Sequence, residues 1–162
     1  MITAKLGDIT KIPAQAIVNS ANPSLLAGGG VCGAIHRAAG PQLELSCRAI
    51  DCIKPGKAVM TNAFELPAEY VIHAVGPRYM DGNRGEADVL AQTYRSICQL
   101  VEEHRITSIS IPSIETGIYR FPLDLAAEIA IVTLRKFVPE SLNATFICFD
   151  DATLAAYAER LK

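Results

Sequence analysis

The stretch AIVNSANPSLLAGGGVCGAIHRAAGP, residues 16–41, decides how the chain is read. It begins with a short apolar run, AIVNSA (16–21), which predicts a buried strand. It then passes through Gly28, Gly29 and Gly30 into a pattern that predicts a helix over 31–39. Cys32 and His36 sit one turn apart just inside that helix. Three readings are open: a phosphate cradle, a thiol active site, or a tight turn. The glycines remove every Cβ, so backbone can approach a ligand closely and take up φ > 0. The helix start adds unpaired N–H groups and the positive end of a dipole, which together make an anion site.

Outward from this stretch, short β-rich runs alternate with longer helical patterns. A helix is expected from Pro41 to about residue 50, then strands over 57–63 and 70–75 separated by a turn containing Pro67. Val89, Leu90, Thr93, Ile97, Leu100 and Val101 recur at helical spacing within 85–104. A strand over 108–113 precedes a helix over 123–138, whose first turn follows Pro122. A strand over 144–149 and a helix over 152–161 complete the pattern. Strands alternating with helices imply an α/β fold, a largely parallel sheet covered on both faces. Ligands of such sheets bind beyond the carboxyl ends of the strands. A second glycine-bearing loop falls in that position: SIETGIYRFP (113–122), with Thr116-Gly117 ahead of Tyr119 and Phe121. Taken alone it reads as a surface turn with an aromatic packed on the sheet. Two such loops side by side form a cleft suited to a group with two phosphates.

Composition bounds the function. The chain has 162 residues, 50% hydrophobic and 20% charged, and a formal net charge of −2. One domain over 1–162 is expected, with no overall attraction to nucleic acid or an anionic membrane. Any phosphate must be held by local geometry. The 5 cysteines are odd in number and contain no C-x-x-C pair, which argues against a disulfide framework or a four-ligand zinc site. No signal-peptide pattern and no run of about 18 apolar residues is found, and a cytoplasmic location is expected.

The motifs G-D-I-T (7–10), residues 16–41, YVIHAVGP (70–77) and ETGIYRFP (115–122) together resemble the macrodomains, modules that bind ADP-ribose. The resemblance covers nearly the whole chain. It implies a three-layer α/β/α sandwich with a mixed, largely parallel central sheet. It is closest to the subgroup that hydrolyses mono-ADP-ribose esters on acidic protein side chains and deacetylates O-acetyl-ADP-ribose. By this resemblance Asp8 accepts a hydrogen bond from the adenine amino group, with the Ile9 N–H beside it, and Phe149 lies on the adenine face. The alternative for Phe149 is a core aromatic. The loops Gly28–Val31 and Thr116–Tyr119, including Gly29, Gly30, Gly117 and Ile118, share the diphosphate through backbone N–H groups. Ala21 and Ser113 belong to the implied ligand-binding set. Asn22 orients the distal ribose and the attacking water, and His36 assists there. No metal or cofactor is implied; mono-ADP-ribosylated proteins are the implied partners.

Three positions depart from the family pattern. Cys32 stands where many hydrolytic members have an aspartate, and a thiol is a poor acceptor beside a carboxylate. Some viral members with cysteine here are still counted as hydrolases. Glu115 replaces a common serine, and Arg120 a common glycine. A carboxylate at Glu115 repels phosphate unless it turns away or pairs with Arg120, whose other choice is solvent. Two functions therefore lead: an ADP-ribosyl-ester hydrolase with Asn22, Cys32 and His36 at its reacting end, or a binding module that lost catalysis with the aspartate. A third, a nucleic-acid reader using the same adenine pocket, is opposed by the negative net charge. A thiol nucleophile at Cys32 with His36 as base lacks a third group to orient the imidazole. His73 reads as structural, and His104 as a cation complementing a helix end.

Overall fold

The computed structural model describes residues 1–117 and 119–162. Its order is β1 (Ile2–Leu6), a 3₁₀ turn (Ile9–Lys11), β2 (Ala16–Ala21), α1 (Gly30–Ala39), α2 (Pro41–Ile50), β3 (Ala58–Asn62) and β4 (Tyr70–Val75). Then follow α3 (Glu86–Glu103), β5 (Ser108–Ile111), α4 (Leu123–Phe137), β6 (Asn143–Cys148) and α5 (Asp151–Leu161). The expected elements are all present, with ends moved by a residue or two. The largest trimming is at β5, expected to run through Ser113; it stops before Pro112, which has no N–H to donate to a neighbour. One strand was not expected. β1 pairs in parallel with β6, from Ile2 against Ala144 to Leu6 against Cys148.

The six-stranded sheet has the order β1-β6-β5-β2-β4-β3, and only the β3–β4 pair is antiparallel. β2 is central and almost wholly buried, which is why its first half, Ala16 to Val18, is apolar without alternation; Asn19 and Ser20 interrupt the run. Its alternate residues still divide between two cores. Ala16 and Val18 join the residues of α3, α4 and α5 on one face. Ile17 and Ala21 join Ile35 and Ala39 of α1 and Leu43 and Cys47 of α2 on the other. Burying Ile35 and Leu43 contributes about 2 kcal/mol each, so α1 and α2 are each pinned to the sheet by an apolar face. The other attachments of α1 are free to serve the ligand.

The sheet's topology creates the site. β2 and β5 pair only at Ala16–Ile109 and Ile17–Ser110 and then part. After β2 the chain passes through α1 and α2 to β3; after β5 it passes through α4 to β6, on the other side of the sheet order. Connections leaving in opposite directions make a switch point, and a crevice opens at the carboxyl ends of the two strands.

The connection after β4 gathers four of its N–H groups on one side chain. The Glu86 carboxylate accepts N–H groups from Met80 (2.8 Å), Asp81 (3.2 Å), Gly82 (3.0 Å) and Arg84 (2.7 Å). These bonds lower its pKa to about 2, led by the Met80 N–H. An amide in its place presents N–H to N–H, so Glu86→Gln is expected to lower Tm by about 5 °C at pH 7. A carboxyl with a depressed folded pKa stabilises fully above its ordinary value and loses that contribution as pH falls. Melting curves should therefore show the deficit intact above about pH 4.5 and closing toward about pH 2.

Among the described residues no helix is long and apolar enough to cross a membrane.

Candidate ligand-binding cleft

At the parting of β2 and β5 lies a cleft of about 680 Å³. One wall is the Gly28–Val31 segment and the start of α1. Gly29 is the N-cap of α1, no side chain caps the helix, and no acidic residue lies in its first turn. Asp150 caps α5 by accepting the Thr153 N–H at 2.8 Å, and Asp8 caps the 3₁₀ turn by accepting the Thr10 N–H at 3.0 Å. By contrast α2, α3 and α4, like α1, have no side-chain cap; of these uncapped starts only that of α1 lines the cleft. The bare end of α1 leaves the N–H groups of its first turn pointing out of the helix beside the cleft. Gly30 has φ +57°, a conformation that a side chain disfavours. Gly33 lets α1 approach the loop, since a Cβ there would fall 2.4 Å from the Gly28 carbonyl oxygen.

The opposite wall is the second glycine loop. Thr116 Oγ1 donates to Ser113 Oγ at 2.8 Å, and Ser113 Oγ meets the Tyr157 hydroxyl at 3.0 Å. The two aromatics divide as a loop aromatic and a packed one. Tyr119 lines the cleft with the Arg78 guanidinium 5.4 Å from its ring centre, while Phe121 is buried edge-on to Tyr79. Arg120 is exposed, so of its two alternatives it takes solvent. Its backbone keeps φ +58°, the conformation in which glycine is at ease. Glu115 does not turn away: it is buried and lines the cleft.

At one end of the cleft stand Asp8, Ile9 and Phe149. Asp8 Oδ1 also accepts the Thr10 hydroxyl at 2.6 Å, and these bonds, with the exposed Lys11 ammonium 4.0 Å from Oδ2, hold its carboxyl below the usual range. Phe149 is 81% exposed, which removes the core-aromatic alternative. A naked ring at a strand end, beside an ionised acceptor, suits a flat heterocycle carrying an amino group.

Asn22 and Cys32 also line the cleft. The Asn22 amide donates to the Leu26 carbonyl at 2.8 Å, and its Oδ1 accepts from the Ser24 hydroxyl. Cys32 Sγ lies 3.7 Å from both the Leu26 carbonyl and the Asn19 amide nitrogen. Behind Cys32 runs a buried polar chain. Asn19 Nδ2 lies 3.2 Å from His73 Nδ1, and His73 Nε2 lies 2.9 Å from Thr61 Oγ1. Thr61 donates its own proton to the Asn62 carbonyl, so His73 Nε2–H is the donor and His73 Nδ1 accepts from Asn19. Burial depresses the His73 pKa to about 3, which fixes the ring as neutral and structural, as its sequence suggested.

Of the expected site residues, Asp8, Ile9, Ala21, Asn22, Gly29, Gly30, Val31, Cys32, Ser113, Thr116, Gly117, Tyr119 and Phe149 are brought together around this one cleft. Ile118 lies outside the described residues. His36, expected at the distal ribose, is not on the cleft surface. It is buried behind α1, with its ring centre 6.4 Å from that of His73 and its pKa lowered by burial. Sequence reasoning also left out Asn19 behind Cys32, and Ser20, Ile147 and Thr153 in the lining. Asn19 and Ser20 carry a signal in retrospect: two polar residues inside a central strand need partners. Among the described residues no lysine or arginine lines the cleft. Among the described residues no group of three or more His, Cys, Asp or Glu side chains is placed to hold a metal ion.

The macro domain family model matches residues 18–130, and the chain belongs to that family. It is 47% identical over 168 residues to "O-acetyl-ADP-ribose deacetylase 1" of Pantoea vagans, covering 99% of this chain and 98% of the relative. The Oceanobacillus iheyensis macrodomain, solved with ADP, superposes with a TM-score of 0.93 at 38% identity, covering 98% of this chain and 88% of that one. The Trypanosoma brucei macrodomain, solved in complex with ADP-ribose, gives 0.92 at 36% identity, covering 99% and 69%.

Proposed function

We propose that the cleft binds ADP-ribose and that the protein hydrolyses esters of its distal ribose, either O-acetyl-ADP-ribose or ADP-ribosyl groups on protein Asp and Glu. The observation that carries the binding is the bare start of α1 facing a second backbone loop across a cleft with no cation. Phosphates held only by N–H groups require this arrangement. Asp8 and Phe149 receive the adenine, the two loops the diphosphate, and Asn22 and Cys32 the distal ribose. The bound ADP and ADP-ribose of the two structural relatives support this reading, and the deacetylase name of the Pantoea relative supports the chemistry.

In the hydrolysis, water adds its oxygen to the ester carbon, the ester C–O bond breaks, and acid and ribose hydroxyl are released. Asn22 keeps one amide proton and one Oδ1 lone pair beyond its loop bonds, enough to hold the ribose or the water. The N–H groups around Gly30 and Val31 stabilise developing negative charge. With Cys32 in place of a carboxylate, the water is positioned by backbone groups and activated partly by the substrate's own phosphate. His36 is left out of this scheme because it lies behind the wall.

A second reading, a binding module without turnover, is favoured by the same Cys32. Calorimetry with ADP-ribose, and mass spectrometry of product release from both ester classes, separate the two. Binding with turnover is the expected result; binding without turnover selects the module. Gly29→Glu places a carboxylate at the helix start and is expected to weaken binding at least about 100-fold. Undiminished binding by that variant would place the phosphates elsewhere.

A further inference from the structure

The cleft meets a doubly charged anion with two carboxyl groups in its lining and no cation, so the charge state of those carboxyls decides whether the anion enters. Asp8 is ionised but stands at the adenine end. Glu115 stands beside the second glycine loop, is 4% exposed, and has no compensating charge: among the described residues it joins no ion pair.

Its surroundings hold it there. Ser20 of β2 donates to Glu115 Oε1 at 3.2 Å and accepts the Glu115 N–H at 3.3 Å, clamping side chain and backbone together. Oε2 is buried without a partner. Gly76, just past β4, leaves the space that the side chain fills, since a Cβ there would lie 2.3 Å from Glu115 Cγ. The Glu115 backbone sits at φ +66°, a conformation that a non-glycine residue disfavours. Among the described residues the neighbouring elements bring no ion pair to it: Arg78, two residues past Gly76, lies over the Tyr119 ring, 5.4 Å from its centre. β2 contributes the Ser20 hydroxyl, and the segment after β4 the Gly76 backbone. α3 contributes the neutral Tyr94 phenol, itself pushed well above its ordinary pKa by burial. From its own loop come Thr116 and the solvent-exposed Arg120, and the cleft adds Asp8, Cys32 and Tyr119.

We propose that Glu115 is a specificity-determining residue of the diphosphate site, admitting the anion only while its carboxyl carries a proton. The inference rests on the reading of the cleft as an ADP-ribose site. Burial pushes this carboxyl up to about 8 against the opposing Ser20 hydroxyl and Gly76 N–H, so the free protein holds it protonated at neutral pH. A bound diphosphate favours the protonated form further, because two negative charges at close range in a half-buried cleft repel. Glutamate in place of the family's serine thus costs nothing below neutrality, and above it makes binding consume a proton.

The test is calorimetry of ADP-ribose binding to wild type and Glu115→Gln from pH 6.5 to 9.5, a range in which both phosphates of the ligand keep a constant charge. Wild-type affinity is expected to fall roughly 30-fold between pH 7 and 9.5, and that of Glu115→Gln by less than about threefold. A wild-type affinity that stays level, or a Gln variant that falls in parallel with it, overturns the proposal. Should the variant fail to fold, wild type alone decides. Heats in two buffers of different ionisation enthalpy at pH 8 should give uptake of about half a proton, and zero uptake overturns the proposal. Absence of binding at every pH overturns the functional reading and this inference together; pH-independent binding overturns this inference alone.

Discussion

Gly33→Ala is expected to weaken ADP-ribose binding about 100-fold while leaving the circular dichroism spectrum unchanged. The added Cβ would lie 2.4 Å from the Gly28 carbonyl oxygen and 3.0 Å from a terminal nitrogen of Arg37. The arginine can swing aside; the carbonyl cannot, because it belongs to the loop that carries the phosphate donors. Relief requires the first turn of α1 or the Gly28–Gly30 segment to move by about 1 Å, enough to misalign donors that act only together. The rest of α1 stays docked through Ile35 and Ala39, so the loss is one of geometry and not of folding. A variant that binds as wild type would show that the start of α1 is not where the diphosphate sits.

Asn22→Ala is expected to lower kcat on O-acetyl-ADP-ribose about 100-fold while KM changes by less than about threefold. The adenine end and the two glycine loops are untouched by this change, so ground-state binding persists. What disappears is the donor and acceptor left over at the reacting end after Asn22 has bonded Leu26 and Ser24. A group whose loss is felt in turnover more than in binding is one whose interaction strengthens toward the transition state. Steady-state kinetics distinguish this from a purely structural role. An equal rise in KM would make the Asn22 side chain only the peg of its own loop, through its bonds to the Leu26 carbonyl and the Ser24 hydroxyl.

Much of this was legible in the sequence, and the gaps have physical reasons. β2 and α1 were readable because a buried parallel strand begins with an apolar run and the glycines mark where that run gives way to helical spacing. β1 was not, because ITAKL is short, only half-buried and charged at Lys5, as an edge strand should be. Its partner β6 lies at the far end of the chain, beyond the reach of any local pattern. At the site, both glycine loops were readable and the fate of Glu115 was not. Whether that side chain points inward depends on Gly76 and Ser20, two distant residues whose spare volume and hydroxyl have no signature next to Glu115. His36 shows the limit of helical spacing. One turn does place it on the same side of α1 as Cys32, but a turn is also about 5.4 Å of depth, enough to carry the ring from the cleft wall to the neighbourhood of His73.

The parting of β2 from β5 reaches beyond the making of a crevice. It divides the sheet into two rafts, β1-β6-β5 and β2-β4-β3, stitched along their shared seam at only Ala16–Ile109 and Ile17–Ser110. A diphosphate gripped by the loop after β2 on one raft and the loop after β5 on the other acts as a weld across that seam. Occupancy then stiffens the molecule where its own hydrogen bonding is thinnest, and slowed amide exchange along β2 and β5 is where that stiffening would register first.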